Sequence, residues 1–288
     1  MTTVAAIIPT RDRAELTERA VRSVLAQTRP VDELIVVDDG SVDDTSQRLR
    51  AAFPQITLLR LEGRGVSAAR NHAIRAASSE WLAFLDSDDE WLPEKLHAQL
   101  AALTAEPEMR ICHADEIWIR NGRRVNPRRR HRKRGGHIFQ HCLPLCAISP
   151  SAALVHRSLF DRAGLFDESL PACEDYDLWL RLCSRWPVAY VDRPLLRKYG
   201  GHADQLSKTA SLDRYRIRAL EKILDEQHLE AEHRRAAEAT LLGKIDIYLA
   251  GVKKRQRWDE ARQLETLRQR IASQAEEPTV GVGEMTHG

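Results

Sequence analysis

The first hundred or so residues switch four times between a short apolar run and an amphipathic helical stretch, and few folds accept that rhythm. Val4–Pro9 reads as a buried strand, and a helix follows in which Leu16, Ala20, Val21, Val24 and Leu25 share one face. Asp12 with Glu15 three residues later resembles a capping box for that helix. Glu33–Val37, Ile56–Leu61 and Trp81–Leu85 read as further strands, and Thr45–Ala52, Val66–Ala77 and Pro93–Leu103 as helices, the last with proline near its first turn. Strands alternating with helices through short links imply parallel pairing and right-handed crossovers. In such a sheet ligands bind beyond the carboxyl ends of the strands. The unusual polar residues stand there: Thr10-Arg11-Asp12 after the first strand, Asp38-Asp39-Gly40-Ser41 after the second, and Asp86-Ser87-Asp88-Asp89 after the fourth. Three polar loops therefore converge on one crevice.

The rest of the chain reads differently. Ile111–Arg120 and Arg124–Val125 flank Asn121-Gly122, a hairpin signal. No acidic residue occurs between Arg120 and Phe160, and Arg128–Arg134 is an almost unbroken basic run that reads as an exposed, mobile loop. Patterns resume at Ser158–Ala163, Tyr176–Cys183, Val188–Val191 and Leu195–Tyr199. After about Ser211 only helical stretches remain: Leu212–Gln227, Ala231–Tyr248 and Trp258–Ala272. The expected division is an α/β domain over 1–210, a helical extension over 211–273 and a disordered tail over 274–288. At 288 residues the chain is long enough for a large α/β core with such an appendage. Its 44 basic and 42 acidic residues leave a net charge of +2, which argues against a general nucleic-acid coat. No membrane span and no secretory signal is visible, and five scattered cysteines point to reduced thiols in a cytoplasmic setting.

Each polar cluster has two readings. Asp86, Asp88 and Asp89 crowd like charges together, which a divalent ion shared with substrate phosphates would relieve; alternatively they favour the N-terminus of the helix after Pro93. Asp38-Asp39 can accept bonds from a nucleobase or a ribose, or can simply make the Asp-Gly turn that follows. Glu174-Asp175 can supply a general base or cap the helix through Leu178, Leu180 and Leu182. Two acidic pairs at two strand ends jointly favour a nucleotide-plus-metal site.

The ordered set Ile8-Pro9-Thr10-Arg11-Asp12-Arg13, Val37-Asp38-Asp39-Gly40-Ser41, Gly65-Val66-Ser67-Ala68-Ala69-Arg70-Asn71, Phe84-Leu85-Asp86-Ser87-Asp88-Asp89 and Glu174-Asp175-Tyr176-Asp177-Leu178-Trp179 resembles the family 2 glycosyltransferases, over roughly residues 4 to 207. The resemblance implies a GT-A-like (Rossmann-like) fold, a mostly parallel sheet flanked by helices, here with a C-terminal helical extension. It implies an inverting enzyme that moves a sugar from a nucleotide-diphosphate sugar, a UDP-sugar above all, with Mg²⁺ or Mn²⁺. Pro9, Thr10 and Arg11 would line the nucleotide pocket, with Asp39 at the base and Asp38 beside it. Arg70 would lie near the diphosphate or the donor sugar. Asp86 and Asp88 would form the family's DxD motif, Asp88 or Asp89 nearest the metal, and Asp175 would be the general base. His202, after Gly200-Gly201, would approach the metal or the diphosphate from a late loop; otherwise it is a surface histidine.

The acceptor expected from this reading is a glycan or a lipid-linked glycan in cell-surface polysaccharide or lipopolysaccharide synthesis. Arg128–Arg134 would then be either a solvated loop or a peripheral contact with anionic lipid at the inner face of the cell membrane. Nucleic acid is disfavoured because no aromatic residue interleaves the run. His137, His141, Cys142 and Cys146 fit no common zinc spacing. Two other functions remain: nucleotidyl transfer on a related fold, which would release pyrophosphate, and a non-catalytic nucleotide- or membrane-binding member.

Overall fold

The computed structural model describes residues 2–126, 128–201 and 211–276. The alternation read from the sequence is present as β1 (Val4–Thr10), α1 (Ala14–Leu25), β2 (Glu33–Asp39), α2 (Thr45–Ala52), β3 (Thr57–Leu61), α3 (Val66–Ala76) and β4 (Trp81–Phe84). These four strands pair in parallel in the order β3-β2-β1-β4. Their unbroken apolar runs follow from burial on both faces. Along β1, Ala5 and Ile7 join a core that includes Ala69, Ala73 and Ile74 of α3. Val4, Ala6 and Ile8 point the other way, toward Ala20, Val21 and Val24 of α1 and Leu49 of α2. Each buried Val, Leu or Ile among them contributes about 1.5–3 kcal/mol by leaving water.

The second half completes one nine-stranded sheet with mixed pairing. Its elements are β5 (Glu90–Trp91), α4 (Lys95–Ala105), β6 (Ile111–Arg120), β7 (Arg123–Val125), α5 (Phe139–Cys142), β8 (Leu154–His156), α6 (Ser158–Ala163), α7 (Glu174–Cys183) and β9 (Ala189–Gly200). β8 runs antiparallel to both β4 and β6, and so joins the two halves. β9 is parallel to β6, and β5 antiparallel to β9. The parallel character thus belongs to the first four strands and to the β6–β9 pair. The hairpin of β6 and β7 turns where the sequence indicates: Asn121 at φ 49° and Gly122 at φ 73° supply the left-handed pair that a tight hairpin needs.

Three local expectations need correction. Asp12 does not cap α1: the N-cap is Arg13, with no side-chain cap bond. Asp12 sits at φ 50° and its carboxylate accepts the backbone N–H groups of Val42 and Asp43, so it ties the first polar loop to the second. The two runs Val188–Val191 and Leu195–Tyr199 form the single strand β9, which accommodates the intervening residues by register shifts opposite Ala114–Ile117. Trp258–Ala272 extends to Glu276, three residues past the expected domain end, whereas 277–288 lie outside the described residues.

The C-terminal helices α8 (Leu212–Leu224), α9 (Ala231–Lys254) and α10 (Trp258–Glu276) pack back on the domain. Ile217, Leu220, Leu241 and Ile245 share one apolar core with Ile7, Phe84 and Trp179. Among the described residues no helix is long and apolar enough to cross a membrane.

Candidate active site

A cavity of about 440 Å³ opens where β1, β2 and β4 end. Pro9, Thr10, Arg11 and Arg13 line it from the first loop, Asp39 from the second, and Gly65, Val66, Ala69 and Arg70 from the start of α3. Asp86, Ser87, Asp88 and Asp89 form its middle. Cys146, Pro150 and Ala172–Tyr176 close the far end with Leu212 and Arg216 of α8, and Lys198 and Tyr199 enter from the end of β9. The three polar loops do converge, as parallel strand ends require.

Of the β2 pair, Asp39 reaches the cavity and Asp38 does not. Asp38 is fully buried and accepts Ser41 N–H at 2.8 Å and the Ser46 hydroxyl. Burial pushes its carboxyl up, but the Ser41 and Ser46 bonds and Arg60 outweigh this and leave it lowered. Its observed part is to hold the turn. Asp39 accepts Arg64 N–H and Gly65 N–H, both at 2.7 Å, and so aims the loop entering α3. Gly40 is required here: at φ +78° a Cβ would stand 2.8 Å from Gly63 N.

Asp86, Asp88 and Asp89 each offer an oxygen within 4.8 Å of the others. This hard, all-oxygen set fits Mg²⁺ or Mn²⁺ rather than a softer metal. Asp86 and Asp89 are tied to each other through one hydroxyl. Asp89 is 1% exposed and accepts the Ser151 hydroxyl at 2.6 Å and Tyr199 N–H at 2.9 Å. Ser151 Oγ also accepts Asp86 N–H, so one hydroxyl ties both ends of the motif. Burial, opposed by Lys198 and reinforced by Asp88 and Asp86, pushes the Asp89 carboxyl up to about 8. Asp86 is raised by burial but brought below its ordinary value by Arg70 and then Lys198. Arg13 Nη1 lies 3.9 Å from Asp88 Oδ2, and Arg19 donates to the Asp88 carbonyl.

Arg70 joins the middle of the cavity to its far end. It is 3% exposed and donates from Nη2 to Asp86 and from Nη1 to Glu174, each at 2.7 Å. Burial raises the Glu174 carboxyl, and Asp175 adds to this against the pull of Arg70. Arg70 is thus bound to two carboxylates and fixes the start of α7 against the Asp86 loop. Asp175, in the first turn of α7, accepts Tyr176 N–H at 2.7 Å on Oδ1 and the Cys146 thiol at 3.2 Å on Oδ2. Its side chain is half-buried and opens on the cavity. His202 lies outside the described residues.

The sequence reading missed Lys198, Tyr199, Cys146 and Arg216 as cavity residues, and Ser151 as the hydroxyl that braces the acidic loop. Lys198-Tyr199 did carry a signal, since they are polar residues at a strand end before Gly200-Gly201, like the three loops already identified. Burial would lower the Lys198 ammonium, but Asp89, then Glu116, Asp86 and Asp88 hold it raised. The basic run is not wholly exposed as expected. Lys133 turns inward and pairs with Glu116 at 3.4 Å, both nearly buried, while Glu116 also accepts Trp118 Nε1–H and the Ser149 hydroxyl. Its neighbours Arg128, Arg129, Arg130, Arg132 and Arg134 remain exposed. The His137, His141, Cys142 and Cys146 set does not gather. Cys142 stands against Cys183, His141 Nε2 bonds the Arg132 carbonyl, and Cys146 serves Asp175.

Residues 5–164 match the family model described as glycosyl transferase family 2. An uncharacterized glycosyltransferase of Rickettsia prowazekii is 32% identical over 212 residues, covering 72% of this chain and 66% of that protein. The E. coli protein WfgD, named a UDP-Glc:alpha-D-GlcNAc-diphosphoundecaprenol beta-1,3-glucosyltransferase, is 31% identical over 184 residues, 62% of this chain and 69% of its own. TarS 1-349 of S. aureus, solved with UDP-GlcNAc, superposes with a TM-score of 0.66 at 18% identity, covering 93% of this chain and 92% of that one. That likeness shows a shared fold. Against the rickettsial relatives the chain spans between 28% and 66% of their length.

Proposed function

The chain belongs to glycosyl transferase family 2, and from that premise we propose that it transfers a sugar from a nucleotide-diphosphate sugar, a UDP-sugar, to an acceptor hydroxyl with inversion of the anomeric carbon. The acceptor is a glycan or a lipid-linked glycan in cell-surface polysaccharide or lipopolysaccharide synthesis, a setting supported by the name of the WfgD relative. The observation that carries the reading is that one cavity holds both the three-carboxylate cluster and the separate carboxylate of Asp175. Nucleotidyl transfer needs the first and gives no comparable use to the second.

The residues divide the chemistry as follows. Pro9, Thr10, Arg11 and Asp39 line the end that takes the nucleotide. Asp86, Asp88 and Asp89 would hold Mg²⁺ or Mn²⁺, which when bound supplies Lewis acidity to the departing diphosphate. Asp175 takes the acceptor proton as the acceptor oxygen bonds to the anomeric carbon, and the carbon–oxygen bond to the diphosphate breaks with its electron pair leaving on the nucleotide. Arg70 holds Asp86 and Glu174, and through them the spacing between leaving group and base.

The test is thermal stabilisation by UDP, GDP, CDP and TDP, each with and without Mn²⁺. A ligand at 100 times its Kd adds about 2.7 kcal/mol to stability. UDP with Mn²⁺ is expected to give a clear shift that Asp88→Ala removes. No shift with any nucleotide, or a shift indifferent to Asp88, would sink this division of roles.

We also propose that the exposed arginines of the 128–134 run, with Arg120, Arg123 and Arg124 of the neighbouring hairpin, meet anionic lipid headgroups. The Trp118 ring stands 5.1 Å from His131 and holds the two segments together. Each basic residue near an anionic surface contributes about 1 kcal/mol. The protein should therefore sediment with phosphatidylglycerol-rich vesicles at low salt, and neither at high salt nor with pure phosphatidylcholine. Equal sedimentation with both vesicle types would refute the contact.

A further inference from the structure

Among the described residues two donors hold the Asp175 carboxylate, and only one of them belongs to its own helix. Tyr176 N–H occupies Oδ1, and the thiol of Cys146, from the segment that follows α5, reaches Oδ2 at 3.2 Å. That segment is itself fixed by buried donors from two helices. The Tyr176 hydroxyl of α7 donates to the Leu143 carbonyl at 2.6 Å, and the Lys244 ammonium of α9 to the Pro144 carbonyl at 2.9 Å. Cys146 therefore stands at a set place on the cavity wall, its Sγ also 3.1 Å from the Ile148 carbonyl.

A thiol carries one proton and serves one of these acceptors at a time. Donation to a carboxylate is the stronger bond, so the proton faces Asp175 while that residue is ionised. Once Asp175 holds a proton both acceptors are neutral, and that advantage is gone. The contact thus favours the ionised carboxylate over the protonated one. Burial, and then Asp175 itself, keep the Cys146 thiol well above its ordinary range, so it stays a donor. The other charged and titratable groups nearby are engaged elsewhere. Glu174 is bound by Arg70, Arg216 pairs with Asp213 at 3.0 Å, Lys244 stands 3.9 Å from the same Asp213 oxygen, and Lys198 lies 4.0 Å from Asp89. Burial pushes the Cys173 thiol up, and Cys183 with burial does the same to Cys142, so both stay neutral. Burial likewise raises the Tyr176 phenol.

We infer that Cys146 is a positioning residue for the base: its thiol fixes the rotation of the Asp175 carboxylate and stabilises it in the ionised form that can take the acceptor proton. The inference rests on the reading of Asp175 as that base. It also gives α9, which lies beyond residue 164 where the family match ends, a part in the site through Lys244 and the segment it holds.

The test titrates the Asp175 carboxyl in the full chain by carbon-13 NMR, its signal assigned by loss in Asp175→Asn. Removing a donor to the ionised form makes the proton bind more tightly. Cys146→Ala, and Cys146→Val with a side chain of similar volume, should each move the midpoint upward by about half a pH unit or more, about a threefold gain in proton affinity. Cys146→Ser restores a donor and should bring the midpoint back toward wild type. The infrared S–H stretch of Cys146, assigned by its loss in Cys146→Ser, gives a second readout. It should rise in frequency in Asp175→Asn, because the charged acceptor is gone. A midpoint unmoved in Cys146→Ala and Cys146→Val, a rise in Cys146→Ser as large as theirs, or an S–H band indifferent to Asp175→Asn overturns the inference and leaves Cys146 as a filler of the wall. Failure of the parent reading shows separately: if Cys146 governs the midpoint while Asp175→Asn keeps its turnover, the positioning contact stands and the base is another group.

Discussion

Replacing Asp175 by asparagine is expected to lower kcat by about a thousandfold while leaving nucleotide-dependent stabilisation intact, since a positioned general base contributes about 10²–10⁴. The substitution is nearly isosteric. The retained carbonyl oxygen can still accept Tyr176 N–H, so the start of α7 keeps its bond. The second oxygen, which now accepts the Cys146 thiol, becomes an amide nitrogen that cannot take a proton. Arg70 and Glu174, which fix the local backbone, are untouched. A separation of turnover from binding is thus what distinguishes a base from a helix cap. A kcat within tenfold of wild type, or loss of nucleotide binding together with turnover, would show that Asp175 is structural.

Arg70→Ala should cost about 3–5 kcal/mol of stability, seen as a lower urea midpoint and a lower Tm. The guanidinium is nearly buried and its two ends hold different carboxylates at 2.7 Å. Removal leaves Glu174, itself buried, without its counter-ion, and frees the Asp86 loop from α7. Lysine is no substitute, because one ammonium cannot bridge both acceptors in the fixed geometry of the fork. Adding Glu174→Gln to Arg70→Ala should recover part of the loss, since the uncompensated charge disappears. A cost below about 1 kcal/mol would mean that Arg70 is not the brace described here.

The first half of the fold was legible because its strands are buried on both faces and its helices on one, so pattern and position coincide. The same logic located the loops carrying Arg11, Asp39 and Asp86–Asp89. What escaped depends on partners distant in sequence. β5 and β8 have two and three residues, too few to show a period, and exist because β9 and β4 pair with them. Ser151 gains its role only once β8 brings it under the acidic loop. Lys133 looks like its neighbours in a basic run, and only Glu116, on a strand 17 positions earlier, draws it inward. Asp38 and Asp39 are adjacent and chemically identical, yet strand alternation sends one into the turn and the other to the cavity wall. The capping box at Asp12 failed for a related reason: Val42 and Asp43, from another loop, offered its carboxylate a better pair of donors.

Inverting transfer from a nucleotide-diphosphate sugar is the central claim, and the configuration of the product tests it most directly. The chain would be incubated with Mn²⁺, an α-linked UDP-sugar and a lipid-linked glycan acceptor, and the new linkage read from its anomeric proton coupling. A β-linkage formed with release of one UDP per bond is the expected result. An α-linkage, or release of pyrophosphate in place of UDP, would contradict it.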